Sequence, residues 1–180
     1  MLTFSPVGLA VLLAVLAPTV LLSVAPPTTP WPAGRDRLAV AVAEHGGRVA
    51  VCLLLVLVPP APDHAVLATR GWHDLPLGLA AALLVANLVP WRRYLRGGRR
   101  LADLFRPWGP VPVPAAVLPV LALLAVAAGT GDGLLAAAAV VFGAGHLTAS
   151  ARVAGAVLAG AHPPGRPERP DGPARDDGPA

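Results

Sequence analysis

The sequence predicts an all-α integral membrane protein: a five-helix transmembrane bundle with its N-terminus outside and its C-terminus in the cytoplasm. Three observations lead to this fold class. Of the 180 residues, 55% are hydrophobic and only 13% are charged, about half the charged fraction of an average soluble domain. Apolar residues form five segments of nearly membrane-spanning length, and arginines concentrate in alternate connections between them. The spans must be helices, because each has to satisfy its own backbone hydrogen bonds in lipid.

Each span is predicted from its length. A hydrocarbon core about 30 Å thick requires about 20 helical residues, and the segments that approach this are about 6–24, 38–58, 76–91, 112–128 and 133–153. The first has no Lys or Arg before it, and Pro26 follows its only small-residue cleavage site, so we expect a span rather than a cleaved signal peptide. The prediction is one integral membrane domain, 1–161. Residues 162–180 are rich in Pro and Gly and should form a disordered cytoplasmic tail.

The orientation follows from the arginines. The third connection, "WRRYLRGGRRLADLFRPW", holds six Arg and one Asp, and the first holds two Arg and one Asp. The second and fourth connections together hold one Arg and three Asp. With five spans, both Arg-rich connections fall on one side of the membrane, which the positive-inside rule places in the cytoplasm.

Composition also bears on source and partners. Lys, Ile and Gln are absent while Ala, Gly, Pro and Arg abound, which is typical of a G+C-rich, actinomycete-like bacterial genome and indicates the bacterial cytoplasmic membrane. The positive charge therefore reflects topology, and we expect a lipid bilayer and no nucleic acid as partner. Anionic lipid contacts are expected at Arg92, Arg93, Arg96, Arg99 and Arg100. Tryptophans at span ends are expected in aromatic belts, namely Trp31, Trp72, Trp91 and Trp108.

The second span carries charge in "AEHGGRVAVC". Only ten residues separate Arg48 from the Pro pair that ends this span, so Glu44 and Arg48 must lie inside the membrane half nearer the cytoplasm. They are four residues apart on one helical face, in the order that favours an ion pair. Two interpretations remain open. Arg48 extends to the cytoplasmic headgroups with Glu44 as its partner, or the pair faces inward and lines a polar pocket.

Depth favours a pocket. At about 1.5 Å per residue, His146 lies roughly 20 Å and Asn87 roughly 17 Å below the outer surface, while Glu44 and Arg48 lie about 9 to 15 Å from the inner surface. Ser150 is one turn beyond His146. The sequence therefore predicts an intramembrane polar cluster of Glu44, Arg48, Asn87, His146 and Ser150.

Small residues predict close helix packing around this cluster, at Gly47, Gly143, Gly145 and Ala149. The last span would also suit a partner helix, from another membrane protein or a second copy. His45 and His146 lie at similar depth, which raises bis-imidazole haem ligation, but His45 points about 100° away from Glu44 on the helix. Cys52 is alone, and zinc and metalloprotease motifs are absent. We predict no catalytic residues, no metal and no cofactor.

Four stretches carry a resemblance: "AEHGGRVAVCLLL", "VANLVPWRRYLRGGRRL", "VPAAVLPVLALLAV" and "AAAVVFGAGHLTAS". They resemble an uncharacterised family of small five-span bacterial integral membrane proteins with Glu…Gly-Arg and FGxGH motifs, over about 38–150. The resemblance marks Glu44, Arg48 and His146 together with their neighbouring glycines, and it implies no activity. The tryptophan-rich sensory proteins also have five spans, but their Trp-rich motifs do not occur here.

Three classes of function follow. The first is a non-enzymatic membrane protein, either an accessory subunit or a small-ligand binder. The alternative is a small transporter or channel component that uses the same polar layer. The third, an intramembrane enzyme that modifies lipids, requires Glu44 and His146 to lie within reach of each other.

Overall fold

The computed structural model describes residues 3–34, 36–58 and 70–161. Its helices are α1 (Pro6–Val24), α2 (Leu38–Val56), α3 (Arg70–Arg96), α4 (Leu101–Phe105), α5 (Pro114–Thr130) and α6 (Gly133–Ala161). Two-residue strands, β1 (Thr3–Phe4) and β2 (Leu57–Val58), pair antiparallel. The all-α fold class is thereby confirmed. The tail predicted at 162–180 lies outside the described residues.

Three helices of the described part have the length and composition to cross a membrane: Leu38–Val56, Leu75–Arg96 and Gly133–Gly160. Two further apolar segments, Gly8–Val24 and Pro114–Thr130, are shorter. Large apolar side chains are exposed on the outside of these helices as well as buried in the core. Such a surface is suited to a membrane.

Local capping explains why two helices begin where the sequence predicts. At the start of α1, the Ser5 hydroxyl accepts a hydrogen bond from the Gly8 N–H at 3.0 Å, and Pro6 has no N–H that needs a partner. At the start of α6, the Asp132 carboxylate accepts from the Leu134 and Leu135 N–H groups at 2.9 and 3.0 Å. These contacts satisfy N–H groups that have no partner within the helix.

The third span and its connection differ from the prediction. The helix expected at 76–91 runs from Arg70 to Arg96, because Arg93 and Arg96 in its last turn are exposed and can extend to water beyond the apolar layer without ending the helix. It stops at Gly97 and Gly98, the latter with a φ of 78°. The sequence did not predict α4, whose Leu101, Leu104 and Phe105 side chains are buried. The last helix also continues to residue 161, eight residues beyond its predicted end.

The helices pack in an order that differs from their order in the chain. α2 lies along α6, α6 lies beside α5, and α5 lies beside α3. α1 contacts chiefly α2 and α3. α5 is the most enclosed helix, because α3 and α6 cover it on two sides. Apolar side chains fill the half of the bundle in which α2 ends and α6 begins, including Val51, Leu55, Leu123, Val126, Leu135 and Ala139.

The first and third connections meet at the other end of the bundle, which we call the Arg-rich end. The Thr28 hydroxyl donates to the Gly98 carbonyl at 2.9 Å, and the Tyr94 hydroxyl donates to the Ala25 carbonyl at 2.7 Å. The Leu101 N–H donates to the Thr29 hydroxyl at 3.2 Å. These hydrogen bonds place the two Arg-rich connections side by side.

Candidate functional site

A charged cluster joins α2 to α6 midway along both helices. One Glu44 carboxylate oxygen, Oε1, accepts from Arg48 Nη2 at 2.9 Å and lies 3.0 Å from His146 Nδ1. The side chains of Glu44, His146 and Arg48 are 14%, 22% and 34% exposed, so the carboxylate that joins the other two is also the most enclosed. We refer to these three residues as the triad. The structure thus brings together the charged residues of α2 and the histidine of α6.

Glycines allow the two helices to approach closely enough for these contacts. A Cβ at Gly145 would lie 2.8 Å from the Glu44 Cα, and a Cβ at Gly47 would lie 2.6 Å from the Phe142 backbone nitrogen. Both distances are far below van der Waals contact, so each position requires glycine at this separation. Gly143 faces α5 instead, where a Cβ would lie 2.7 Å from the Val120 Cγ1. Ala149, one turn beyond Gly145, is buried.

An aromatic ring extends the triad. Phe142 stacks on the His146 imidazole, with the ring centroids 5.0 Å apart and the planes 13° from parallel. The Arg48 guanidinium lies 5.7 Å from the centroid of the same Phe142 ring, within the range of a cation–π interaction. Phe142 is not among the residues predicted for the polar cluster. Its spacing of four residues from His146 was the available signal, since residues at that spacing share a helix face.

The other two predicted cluster members lie apart from the triad's contacts. Ser150 lines the same cavity as the triad, one turn from His146, and makes no hydrogen bond within the described part of the chain. Asn87 is 3% exposed on α3, which packs on α5 and not along α2 or α6. Its Oδ1 is buried without a partner among the described residues. Asn87 therefore has a predicted depth similar to that of the triad, but it lies on α3, which packs on α5, whereas the triad lies between α2 and α6.

A cavity of about 370 Å³ adjoins the triad. α1, α2, α5 and α6 supply most of its wall, which is chiefly apolar. Near the Arg-rich end, Trp31 and Asp36 of the first connection and Leu104 and Phe105 of α4 complete the wall. The volume falls within the range that small-ligand sites have in proteins. The cavity combines the triad on one wall and Asp36 near the Arg-rich end with chiefly apolar side chains elsewhere.

Trp91 also lines this cavity, which corrects its predicted place in an aromatic belt. It is 7% exposed, whereas Trp31 and Trp108 are 50% and 42% exposed. The rings of Trp91 and Tyr94 meet edge to face at 5.9 Å. The indole Nε1 of Trp91 is buried and has no hydrogen-bond partner among the described residues.

The remaining candidates lie at the surface or carry no special contact. His45 is exposed, and its Nδ1 lies 2.9 Å from the Ala41 carbonyl oxygen of its own helix, on a side of α2 away from the triad. Cys52 is a free thiol on the cavity wall. The five arginines predicted to contact anionic lipid are all exposed.

The triad has a defined hydrogen-bonding pattern. When the Glu44 carboxylate is ionised it only accepts hydrogen bonds, and the 3.0 Å contact then requires a proton on His146 Nδ1. In a neutral imidazole, Nε2 is then the acceptor, and no described residue bonds to it. This arrangement suits a binding group or a general base. Among the described residues, no group of three or more His, Cys, Asp and Glu side chains could hold a metal ion.

Similarity to known proteins adds nothing to this geometry. No protein-family model, curated protein or solved structure matches the chain.

Proposed function

We propose that this chain is a multi-pass, non-enzymatic protein of the bacterial cytoplasmic membrane that binds a small amphipathic molecule inside its helix bundle. We also propose that it belongs to the five-span family whose Glu…Gly-Arg and FGxGH motifs it resembles. In this chain those motifs contain Glu44, Arg48, Phe142 and His146, which are the residues in contact around the triad.

The single observation that carries the proposal is the cavity with the triad on one wall. Charged side chains within a membrane are unfavourable unless a bundle interior or a polar partner surrounds them. Here Glu44 is bonded twice and Arg48 is only partly exposed. The chain keeps this charged group beside about 370 Å³ of space instead of filling that space with apolar side chains. A ligand with a polar part and an apolar part fits such a wall.

The five-span topology in this proposal includes α1 and α5 as spans. α5 has 17 residues and is about 26 Å long, and neighbouring helices rather than lipid cover much of it. The hydrogen bonds between the first and third connections support a location of both on one side of the membrane. Their arginines support the cytoplasm as that side, by the positive-inside rule. The N-terminus is then outside and the C-terminus inside.

Binding is favoured over conduction by the packing beyond the triad. Between the triad and the end of the bundle where α2 ends and α6 begins, the described core is made of apolar side chains such as Leu55, Leu123 and Leu135. These described core side chains offer no polar group to an ion or a polar solute. The polar lining lies on the side of the triad towards the Arg-rich end, as expected for a site entered from one side.

The binding proposal is tested by native mass spectrometry of the protein purified in lipid nanodiscs. We expect a co-purifying molecule that is lost in His146→Leu and retained in Thr148→Ala. Thr148 is an exposed residue of the same helix, and its hydroxyl bonds only to the Ala144 carbonyl. Gel filtration confirms that both variants are folded. An equal amount of bound molecule in His146→Leu would contradict a site at the triad.

The topology is tested by cysteine labelling in a Cys52→Ala background. Arg96 and Gly133 are exposed at opposite ends of the bundle, and a side chain at Gly133 would meet no atom within 4 Å. We expect a membrane-impermeant thiol reagent applied to intact cells to label Gly133→Cys and to spare Arg96→Cys until the cells are lysed. The reverse pattern would contradict the orientation.

An acid–base enzyme is the second candidate, and the 3.0 Å contact between Glu44 and His146 favours it. A carboxylate that orients an imidazole is common in acid–base catalysis. However, the Ser150 hydroxyl is not hydrogen-bonded to His146 within the described part, so the triad does not activate this hydroxyl as a nucleophile. Incubation with membrane lipids, followed by lipid mass spectrometry, distinguishes the two: turnover lost in Glu44→Gln supports the enzyme.

A further inference from the structure

We propose that the cavity's ligand is a neutral, membrane-dissolved alcohol whose hydroxyl group donates a hydrogen bond to His146 Nε2. This inference depends on the proposed function and specifies the ligand class. The alcohol oxygen accepts in turn from an N–H group of Arg48, and the apolar part of the molecule occupies the rest of the cavity.

The first support is an acceptor atom that is reachable and has no partner. His146 Nδ1 lies 3.0 Å from Glu44 Oε1, so a neutral ring presents Nε2 as its acceptor, and no described residue bonds to Nε2. In the described part, the fully enclosed side-chain atoms without a partner are Asn87 Oδ1 and Trp91 Nε1. His146 Nε2 is not one of them, so it keeps accessible surface. Its side chain lines the cavity and is 22% exposed.

The second support is a donor beside that acceptor. Arg48 uses Nη2 to bond Glu44, and its other N–H groups make no hydrogen bond within the described part. Arg48 and His146 bond to the same Glu44 oxygen, so both lie at one place on the cavity wall. A hydroxyl group can donate to the imidazole and accept from the guanidinium at the same time. A carbonyl oxygen can only accept, and would leave the imidazole nitrogen without a partner.

The third support is that the imidazole is oriented before a ligand binds. Its Nδ1 bonds to Glu44, and its face stacks on Phe142 with the ring centroids 5.0 Å apart. Glu44 is held in turn by Arg48 at 2.9 Å. An acceptor fixed in this way loses little side-chain freedom on binding, which raises its contribution to affinity.

Charge pairing in the cavity wall disfavours an ionic ligand. Glu44 pairs with Arg48, and Asp36 pairs with Arg152. A ligand carboxylate that approached Arg48 would also approach Glu44, and a ligand ammonium that approached Glu44 would also approach Arg48. Such repulsion is strong where water is scarce. A neutral polar group therefore fits this wall better than an anion or a cation.

The cavity also limits the apolar part of the ligand. At about 30 Å³ for each water-sized group, the 370 Å³ cavity holds roughly a dozen non-hydrogen atoms. Aliphatic side chains form much of its wall, including Leu12, Val15, Val51 and Leu123. Menthol, a saturated one-ring alcohol, has a suitable size. Menthone has the same carbon skeleton with a carbonyl that only accepts, and menthane has no polar group.

The experiment measures binding of menthol, menthone and menthane to nanodiscs that contain the full chain and to empty nanodiscs, so that partition into lipid is subtracted. We expect menthol to bind about tenfold more tightly than menthone, as one net hydrogen bond allows. His146→Phe keeps an aromatic ring beside Phe142 and should abolish most of this difference without changing menthane binding. The matched control is His45→Phe, at an exposed histidine that bonds to its own helix, and should have no effect.

A second measurement uses the unmodified chain and does not depend on the folding of a variant. In a sample with nitrogen-labelled histidine, menthol should shift the unprotonated nitrogen resonance of one imidazole upfield, because that nitrogen accepts a hydrogen bond. Menthone and menthane should leave the resonance in place. The co-purifying molecule found by native mass spectrometry should likewise carry a hydroxyl group.

The outcomes separate the ligand class from the binding function. No binding of menthol, binding equal to that of menthone, a preference that persists in His146→Phe, or bound menthol without the imidazole shift overturns the inference and leaves the cavity as a binding site for another class. Tighter binding of menthylamine or menthane carboxylate than of menthol also overturns it and indicates an ionic ligand. A co-purifying molecule without a hydroxyl group has the same consequence for the inference. Failure of all these probes, with no co-purifying molecule, overturns the proposed function itself.

Discussion

Gly145→Ala should destabilise the protein strongly for so small a change. The added Cβ would lie 2.8 Å from the Glu44 Cα, and ordinary carbon–carbon contact begins near 3.5 Å, so α2 and α6 must separate by about 0.7 Å. That separation would lengthen the 3.0 Å contact between Glu44 and His146 to about 3.7 Å, beyond hydrogen-bond range. Overpacking costs about 1–3 kcal/mol, and a lost hydrogen bond to a charged group costs about 1.5–3 kcal/mol. Alanine regains about 1 kcal/mol of helix propensity over glycine, so we expect a net loss of about 2–5 kcal/mol.

The assay for Gly145→Ala is thermal unfolding of the nanodisc-embedded protein, followed by circular dichroism. For a chain of this size, the expected loss lowers Tm by about 5–15 °C. Gly155→Ala is the matched control, because Gly155 lies in the same helix, is exposed, and a Cβ added there would meet no atom within 4 Å. It should leave Tm unchanged or raise it slightly. A Gly145→Ala protein as stable as the Gly155→Ala protein would refute the close crossing of α2 and α6.

Three further predictions concern the triad and the Arg-rich end. Glu44→Gln should lower the free energy of unfolding by about 1–3 kcal/mol, because it leaves the Arg48 charge without a carboxylate. Adding Arg48→Met should restore most of that stability. The Tm values of the single and double variants test both predictions. Tyr94→Phe removes the 2.7 Å hydrogen bond to the end of α1 and should lower the free energy of unfolding in urea by about 1 kcal/mol. An unchanged free energy of unfolding would contradict the contact between Tyr94 and α1. Asp36→Asn removes a partly exposed ion pair and should change stability by less than about 1 kcal/mol; a larger Tm shift would show that this pair closes the bundle.

Helix positions are predictable from the sequence wherever a local signal marks them. Ser5 and Asp132 fix the starts of α1 and α6 through capping, and a long apolar run gives the rest. The extension of α3 to Arg96 and the existence of α4 are not predictable in this way. Both depend on contacts between connections, such as the one from Leu101 to Thr29, which no local pattern contains.

In the candidate site too, the sequence predicts the features that a local pattern determines and misses those that depend on helix packing. Depth along a helix follows from residue counting, and counting alone places Glu44, Arg48 and His146 in one layer. Direction around the bundle does not follow from counting, because it depends on which helices are neighbours. Asn87 has a similar depth but lies in the contact of α3 with α5. The prediction for Trp91 is wrong for the same reason, since its position at a span end does not reveal that α1 and α4 cover it.

The pairing of α2 with α6 has a consequence for biosynthesis. Glu44 and His146 are 102 residues apart in the chain, so at about 5–20 residues per second the ribosome needs roughly 5–20 s to deliver the histidine after the glutamate. During that time the nascent α2 carries the Glu44–Arg48 pair without its final neighbour. We therefore expect folding of this chain to include a stage in which this pair precedes the packing of α6 against α2.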